Sequence, residues 1–238
     1  MPEQPQTDVS KPDDSKHRAI RSFVIRASRM SPSQKQAYRE LWPHWGLELD
    51  DGMLNCKKVF GRDAPLVFEI GFGMGESLAT MAKNEPDKNF IGVEVHPPGV
   101  ANLLKRIDER EITNLRIYNT DVIEVLKQAI LLESIERVQI YFPDPWPKKR
   151  HHKRRLIQSD FLELLKPRMK SEAILHVATD WQEYAEQTLE LLNETKDLVN
   201  SVKSGFVPRP EYRPVTKFEK RGVGLGHDIY DLVFIHGN

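Results

Sequence analysis

The 238-residue chain carries one cysteine, Cys56, which excludes an internal disulfide and a cysteine-rich metal site. It has no net charge, because 35 lysines and arginines balance 35 aspartates and glutamates. Affinity for a polyanion must therefore come from a local patch rather than from the whole surface. No apolar run approaches the roughly eighteen residues that span a bilayer, and no basic-then-apolar leader opens the chain, so no membrane association is expected and the expected compartment is the cytoplasm. Internal repeats are absent. The rest is an ordinary composition, 39 % hydrophobic and 29 % charged, in a chain long enough to bury a full core.

Residues 1–17, rich in Pro, Gln, Asp, Ser and Lys, are expected to form a disordered tail, and residues 18–238 a single domain with an N-terminal helical extension. Ser31-Pro32-Ser33-Gln34 marks a helix start, with Ser at the N-cap, Pro at the first position and Gln closing a capping box; that helix should stop before Pro43. From Leu66 onward strands and helices alternate. Strands are expected at 66–70, 90–95, 115–118, 138–142 and 173–178. Between them, Val100, Leu103, Leu104 and Ile107 form the stripe of one amphipathic helix, and Val122, Val125, Leu126 and Ala129 that of the next. This alternation predicts an α/β fold with right-handed crossovers and a parallel sheet covered on both faces. The end differs: residues 207–214 and 229–235 suggest strands joined by a long loop.

The most unusual stretch is Tyr141-Phe142-Pro143-Asp144-Pro145-Trp146-Pro147, where an apolar strand turns into a proline-braced acid. Three prolines in five residues remove backbone donors and fix φ, so the segment continues neither as helix nor as central strand. Asp144 and Trp146 are thus placed on a stiffened loop at the carboxyl end of a strand, where open α/β sheets bind ligands. Six cations follow within 148–155 and no acid interrupts them. A solvated charged face is one reading, but the position beside the acid favours contact with a phosphate backbone. His151 and His152 are expected to be exposed spacers, and no metal site is expected.

Glu69-Ile70-Gly71-Phe72-Gly73-Met74-Gly75 lies where a strand meets a helix. Its glycines let a backbone approach a ligand, and the helix start offers free N–H groups. The spacing is not that of a dinucleotide site, and Glu69 would repel a pyrophosphate. It suits a ligand with a cationic amino group, such as the methionine end of S-adenosylmethionine. Glu94 falls about twenty residues after the glycines, where a Rossmann-like fold places a carboxylate on ribose hydroxyls. Asp121 could accept from an adenine amino group; either acid could equally cap a helix. Glu69, Glu94, Asp121 and Asp144 all fall at or near the carboxyl ends of consecutive strands, which would form an acidic rim matched to a sulfonium and an ammonium.

The motifs E-I-G-F-G-M-G at 69–75, G-V-E-V-H at 92–96, F-P-D-P-W at 142–146, A-T-D-W at 178–181 and R-P-V-T-K-F-E at 213–219 together resemble the bacterial tRNA (guanine-N7-)-methyltransferases, in consistent order from about Arg21 to Ile235. The resemblance implies a Rossmann-like class I methyltransferase fold, a mostly parallel seven-stranded sheet with an antiparallel last strand and helices on both faces. It implies S-adenosyl-L-methionine as donor and the variable-loop guanine of tRNA, position 46 by tRNA convention, as acceptor. Asp144 would be the catalytic acid, and Glu69, Gly71, Gly73, Glu94, Asp121 and Asp144 would bind the cofactor. Lys148, Asp180, Thr216, Lys217, Phe218 and Glu219 would bind substrate, although Asp180 and Glu219 could each be structural. Arg150, His151, His152, Lys153, Arg154 and Arg155 would contact the RNA. No protein partner is expected, and a monomer is favoured. The arm with Arg18, Arg21, Arg26 and Arg29 is either solvated or RNA-touching, and Trp146 either stacks on the target base or caps its loop. A non-catalytic RNA-binding protein and an amine or protein N-methyltransferase are the alternatives.

Overall fold

The computed structural model describes residues 29–237; the expected tail, and all of the arginine-bearing arm but Arg29, lie outside them. The elements in chain order are α1 (Pro32–Trp45), β1 (Gly46–Leu47), α2 (Cys56–Phe60), β2 (Leu66–Ile70), α3 (Glu76–Asn84), β3 (Asn89–Val93), α4 (Pro97–Glu109), β4 (Leu115–Tyr118) and α5 (Val122–Gln128). They continue with β5 (Ile135–Tyr141), α6 (Ser159–Leu165), β6 (Met169–Thr179), α7 (Gln182–Glu194), β7 (Leu198–Asn200), α8 (Lys217–Gly224) and β8 (Tyr230–His236). The strands form one eight-stranded sheet in the order β1-β4-β3-β2-β5-β6-β8-β7. β8 runs antiparallel to both β6 and β7, and the other pairings are parallel. The chain thus reverses where expected.

Three expectations change. The sheet has eight strands rather than seven, because Gly46–Leu47 pairs in parallel with the β4 edge. Two residues are too few to leave a periodic signal. The first helix passes Pro43 and ends at Trp45. Pro43 sits in the last turn, so few hydrogen bonds depend on it, and Trp42 is held by stacking on Tyr38 at 5.0 Å and by donating from Nε1 to Glu48 Oε1 at 2.7 Å. Residues 207–214 are not a strand: only Val207 bridges to Asp231, and the strand pairing with β8 on that side is Leu198–Asn200. Pro208, Pro210 and Pro214 remove the donors that a ladder requires.

Alternation along the strands builds two layers. Leu66, Phe68, Ile70, Val138, Ile140, Leu175, Val177, Leu232 and Phe234 face one core, with α5 and α6 packed on it. Val67, Phe90, Leu115 and Ile117 face the other, under α3 and α4, with α1 contributing Tyr38, Leu41 and Trp42. By the same alternation Glu69, Gln139, Tyr141, His176 and Asp231 share this second face. One side of the sheet is therefore apolar across the central strands and β8, and the other turns polar from β5 to β8. Crossovers on both sides leave the carboxyl ends of the central strands open, and the site lies there.

Candidate active site

A cavity of about 380 Å³ opens at these ends. Gly71 and Gly73 line it from the loop after β2, Glu94 and His96 from the loop after β3, and Thr120 and Asp121 from the loop after β4. Phe142 and Asp144 line it from the loop after β5, and Leu156 and Phe218 close the far side.

The glycine side is held by backbone groups. Gly73 has φ +58, and its N–H donates to Glu94 Oε2 at 2.8 Å. The N–H groups of Val95 and His96 donate to Glu94 Oε1 at 2.7 and 3.0 Å. Burial pushes the Glu94 carboxyl up from its ordinary value, and these three bonds oppose the shift. A Cβ on Gly99 would lie 2.1 Å from the Gly73 carbonyl oxygen, so the start of α4 packs directly on the glycine loop. Asp121 caps α5, accepting from the Ile123 N–H at 3.0 Å, and also lines the cavity. The two readings of Asp121 are therefore compatible.

Glu69 departs from the expected rim. It is buried in β2, and it does not line the cavity. Its side chain shares a face with Val67, so it points into the layer under α3 and α4 rather than out of the strand end. Burial raises its pKa to about 8, with Arg137 lowering and Glu94 raising it further. Its carboxyl therefore holds a proton more tightly than an ordinary carboxylate does. Three acids, Glu94, Asp121 and Asp144, share the cavity wall.

The opposite side is strained and open. Phe142 has φ +52 and Trp146 φ +47, a conformation that costs a non-glycine residue on the order of 1–3 kcal/mol. The Phe142 N–H donates to the Ala178 carbonyl at 2.7 Å, which extends the β5–β6 ladder one residue before the chain turns. Asp144 is exposed at the cavity mouth. Phe218 is also exposed, and its ring stacks on Phe142 at 6.4 Å between centroids. Trp146 does not line the cavity; its ring meets His151 edge-on at 5.9 Å and carries Arg154 at 5.1 Å. It caps the loop.

The cation run forms a 3-10 turn, Lys149–Arg154, entered from Lys148. Lys148, Lys149, Arg150 and Lys153 are exposed, and His151, His152 and Arg154 are half-buried. Desolvation, and after it the neighbouring cations Arg150, Arg154, Lys148 and Lys153, hold the His151 pKa below the usual imidazole value. Arg155 is a correction: its side chain is fully buried and is not placed to reach RNA. Its Nε donates to the Pro145 carbonyl at 2.8 Å, its Nη1 meets Gln187 and Glu183, and its guanidinium lies 4.9 Å over Tyr184. It fastens the proline loop to α7. His152 faces the same way, toward Arg155 and Glu183.

The expected substrate residues are scattered. Phe218 alone among them lines the cavity. Thr216 is the N-cap of α8, accepting from the Glu219 N–H at 3.0 Å, so the segment expected as part of a long loop is a helix start. Lys217 is exposed; Glu219 is buried and pairs with Arg213 at 2.5 Å. Asp180 packs against Gly222 and lies 3.4 Å from His227 Nδ1.

A family model described as a putative methyltransferase matches residues 63–232. A tRNA (guanine-N(7)-)-methyltransferase of Alcanivorax borkumensis is 51 % identical over 218 residues, covering 91 % of this chain and 91 % of the relative. One of Paraburkholderia xenovorans is 52 % identical over 231 residues, covering 97 % of this chain and 88 % of the relative. The chain belongs to the tRNA (guanine-N(7)-)-methyltransferase family. Among solved structures, the 16S rRNA methyltransferase KamB aligns with a TM-score of 0.56 at 12 % identity, over 76 % of this chain and 92 % of that one. A 16S rRNA (adenine(1408)-N(1))-methyltransferase variant from Catenulisporales acidiphilia aligns at 0.54 and 15 % identity, over 81 % and 92 %. At such identity these likenesses show the methyltransferase fold and no more.

In this family member several groups outside the expected site set surround the cavity. His96, Thr120, Phe142 and Leu156 line it. Behind them lies a buried polar cluster of His176, Arg213 and Asp231. His96, Phe142 and Arg213 stood inside the quoted motifs, while His176 and Asp231 interrupt otherwise apolar strands. A lone polar residue in such a strand was the available signal.

Proposed function

We propose that the chain transfers the methyl group of S-adenosylmethionine to N7 of the variable-loop guanine of tRNA, position 46. The observation carrying the reading is the single cavity that holds Glu94 and Asp121 at one end and Asp144 at the other, with the cation turn following the Asp144 loop. The family it belongs to accounts for the substrate class.

The residues present fit the donor. Gly71 and Gly73 allow close backbone approach, and Glu94 and Asp121 offer acceptors to ribose hydroxyls and an adenine amino group. S-adenosylmethionine supplies the electrophilic methyl. Guanine N7 carries an in-plane lone pair and loses no proton on methylation, so the protein needs no strong base and no covalent nucleophile. In-line positioning of two well-oriented reactants is worth about 7–11 kcal/mol at best. Asp144 accepts from guanine N1–H and N2–H, which orients N7, and its charge favours the positive charge arriving on the ring. Phe142 and Phe218 exclude water from this end, while Lys148, Lys149, Arg150 and Lys153 meet phosphates. We propose the cytoplasm, where tRNA is modified, as its compartment, and a monomer as the acting form. Among the described residues no helix is long and apolar enough to cross a membrane.

Incubation of the full chain with labelled S-adenosylmethionine and unmodified tRNA, followed by nucleoside analysis, tests the reading. Label in 7-methylguanosine from the variable loop is expected. Label in another nucleoside, or none, rejects it.

A further inference from the structure

α8 is eight residues long and buries only Glu219 and Gly222. Phe218, Val223 and Leu225 are exposed, so apolar burial does not hold this helix in place. A helix of this length is not stable by itself. Its position must come from its few anchors, of which the strongest is ionic. Arg213, wholly buried, donates from Nε and Nη2 to the two oxygens of Asp231, each at 2.7 Å. Its Nη1 donates to Glu219 Oε2 at 2.5 Å, and Arg209 lies 3.7 Å from the other Glu219 oxygen. Two arginines therefore face two carboxylates, and the buried charge is balanced.

We infer that Arg213 is a positioning residue for methyl transfer: by bracing Glu219 of α8 against Asp231 of β8, it fixes the direction in which Phe218 covers the cavity. The inference rests on the reading of that cavity as the methyl-transfer site. Thr216 fixes where α8 begins, and the Arg213–Glu219 bond fixes its rotation about its own axis. Phe218, next to Glu219, then falls over Phe142, and its ring edge would lie 3.7 Å from a Cβ added to Gly73. The same cluster reaches the other wall. Asp231 Oδ1 lies 2.7 Å from His176 Nε2, and His176 Nδ1 lies 3.0 Å from the hydroxyl of Tyr141, which also lines the cavity. The Arg213 guanidinium itself sits 5.7 and 5.8 Å from the Tyr141 and Phe142 rings. A planar fork is needed for three bonds to two carboxylates, and a lysine ammonium does not reproduce it.

The test is a double-mutant cycle between Arg213→Lys and Phe218→Ala in the full chain, read by kcat and KM for tRNA, with hydrogen exchange of residues 216–224 measured alongside. Arg213→Lys is expected to lower kcat/KM by about 10–100-fold, the loss typical of a buried charge-assisted hydrogen bond. It should also accelerate exchange in α8. In the Phe218→Ala background it should add less than about threefold, because its effect runs through that ring. Multiplicative losses, or unchanged exchange in α8, overturn the inference. Should Arg213→Lys fail to fold, Glu219→Gln, which leaves the Arg213–Asp231 pair intact, carries the same cycle with the same two outcomes. Absence of 7-methylguanosine from the wild-type chain would instead reject the proposed function, and the exchange measurement would still decide the brace.

Discussion

The two walls of the cavity are built differently. On the glycine side, the Glu94 carboxylate takes three backbone N–H bonds and ties the loop after β2 to the end of β3. On the other side, Asp144 is exposed, Phe142 and Trp146 hold positive φ, and Phe218 stands on a helix with two buried residues. The first wall is preorganised by main-chain groups that cannot rearrange without breaking the sheet. The second is held by side chains, namely Arg155 under the proline loop and Arg213 under α8. A wall of the first kind suits a small ligand bound in one pose. A wall of the second kind suits one nucleotide presented by a large RNA, which must enter and leave.

The two walls differ most at Asp144. Asp144→Ala is expected to lower kcat by about 10²–10³-fold, the usual loss on removing one preorganised electrostatic group, while calorimetric affinity for S-adenosylmethionine stays nearly unchanged; unaltered turnover would remove Asp144 from its assigned role. On the rigid wall the pattern should invert. Glu94→Ala should weaken cofactor binding by about 10–100-fold, since it removes a buried acceptor of charge-assisted bonds, and calorimetry showing no loss would reject the ribose assignment. At the RNA surface, neutralising Lys148, Lys149, Arg150 and Lys153 together should reduce the salt slope of tRNA binding by about 4, near one per phosphate contact. Arg155→Lys, by contrast, should leave that slope alone and lower turnover, and a changed slope would return Arg155 to the RNA surface.

The smallest effect lies behind the rigid wall. Glu69 keeps its proton up to about pH 8 in the folded chain and loses it near the ordinary carboxylate value when unfolded. The folded state therefore binds the extra proton between those values, so stability falls as pH rises through that window and levels off above pH 8. Glu69→Gln lacks this dependence. Its Tm advantage over wild type should grow by a few degrees between about pH 5 and pH 8.5, and a constant difference would mean that Glu69 titrates normally.

Much of this was legible beforehand. The strand at 115–118 and the capping box at Ser31 were placed as the structure has them, because period and cap chemistry are local. The acids at 94, 121 and 144 were legible as a common rim, because strand ends in a parallel sheet fall on one edge. Glu69 was misplaced by the same logic, since it lies one residue inside the strand end and pleat alternation turns it inward. Arg155 was counted with its neighbours because a run of like charges looks uniform along the chain. Only the packing of α7 shows that one member of the run faces inward.

The sequence by itself determined the order of elements between Leu66 and Glu194, the reversal at the end of the sheet and the residue types around the cavity, since these follow from local periodicity and from motifs that leave little freedom. Only the tertiary structure decided which charges face solvent, which face the cavity and which are spent as struts. A side chain's direction depends on elements far away in sequence, as Arg155 depends on Glu183 and Gln187. The desolvation that makes such pairs obligatory exists only once the sheet and its helices have closed around them.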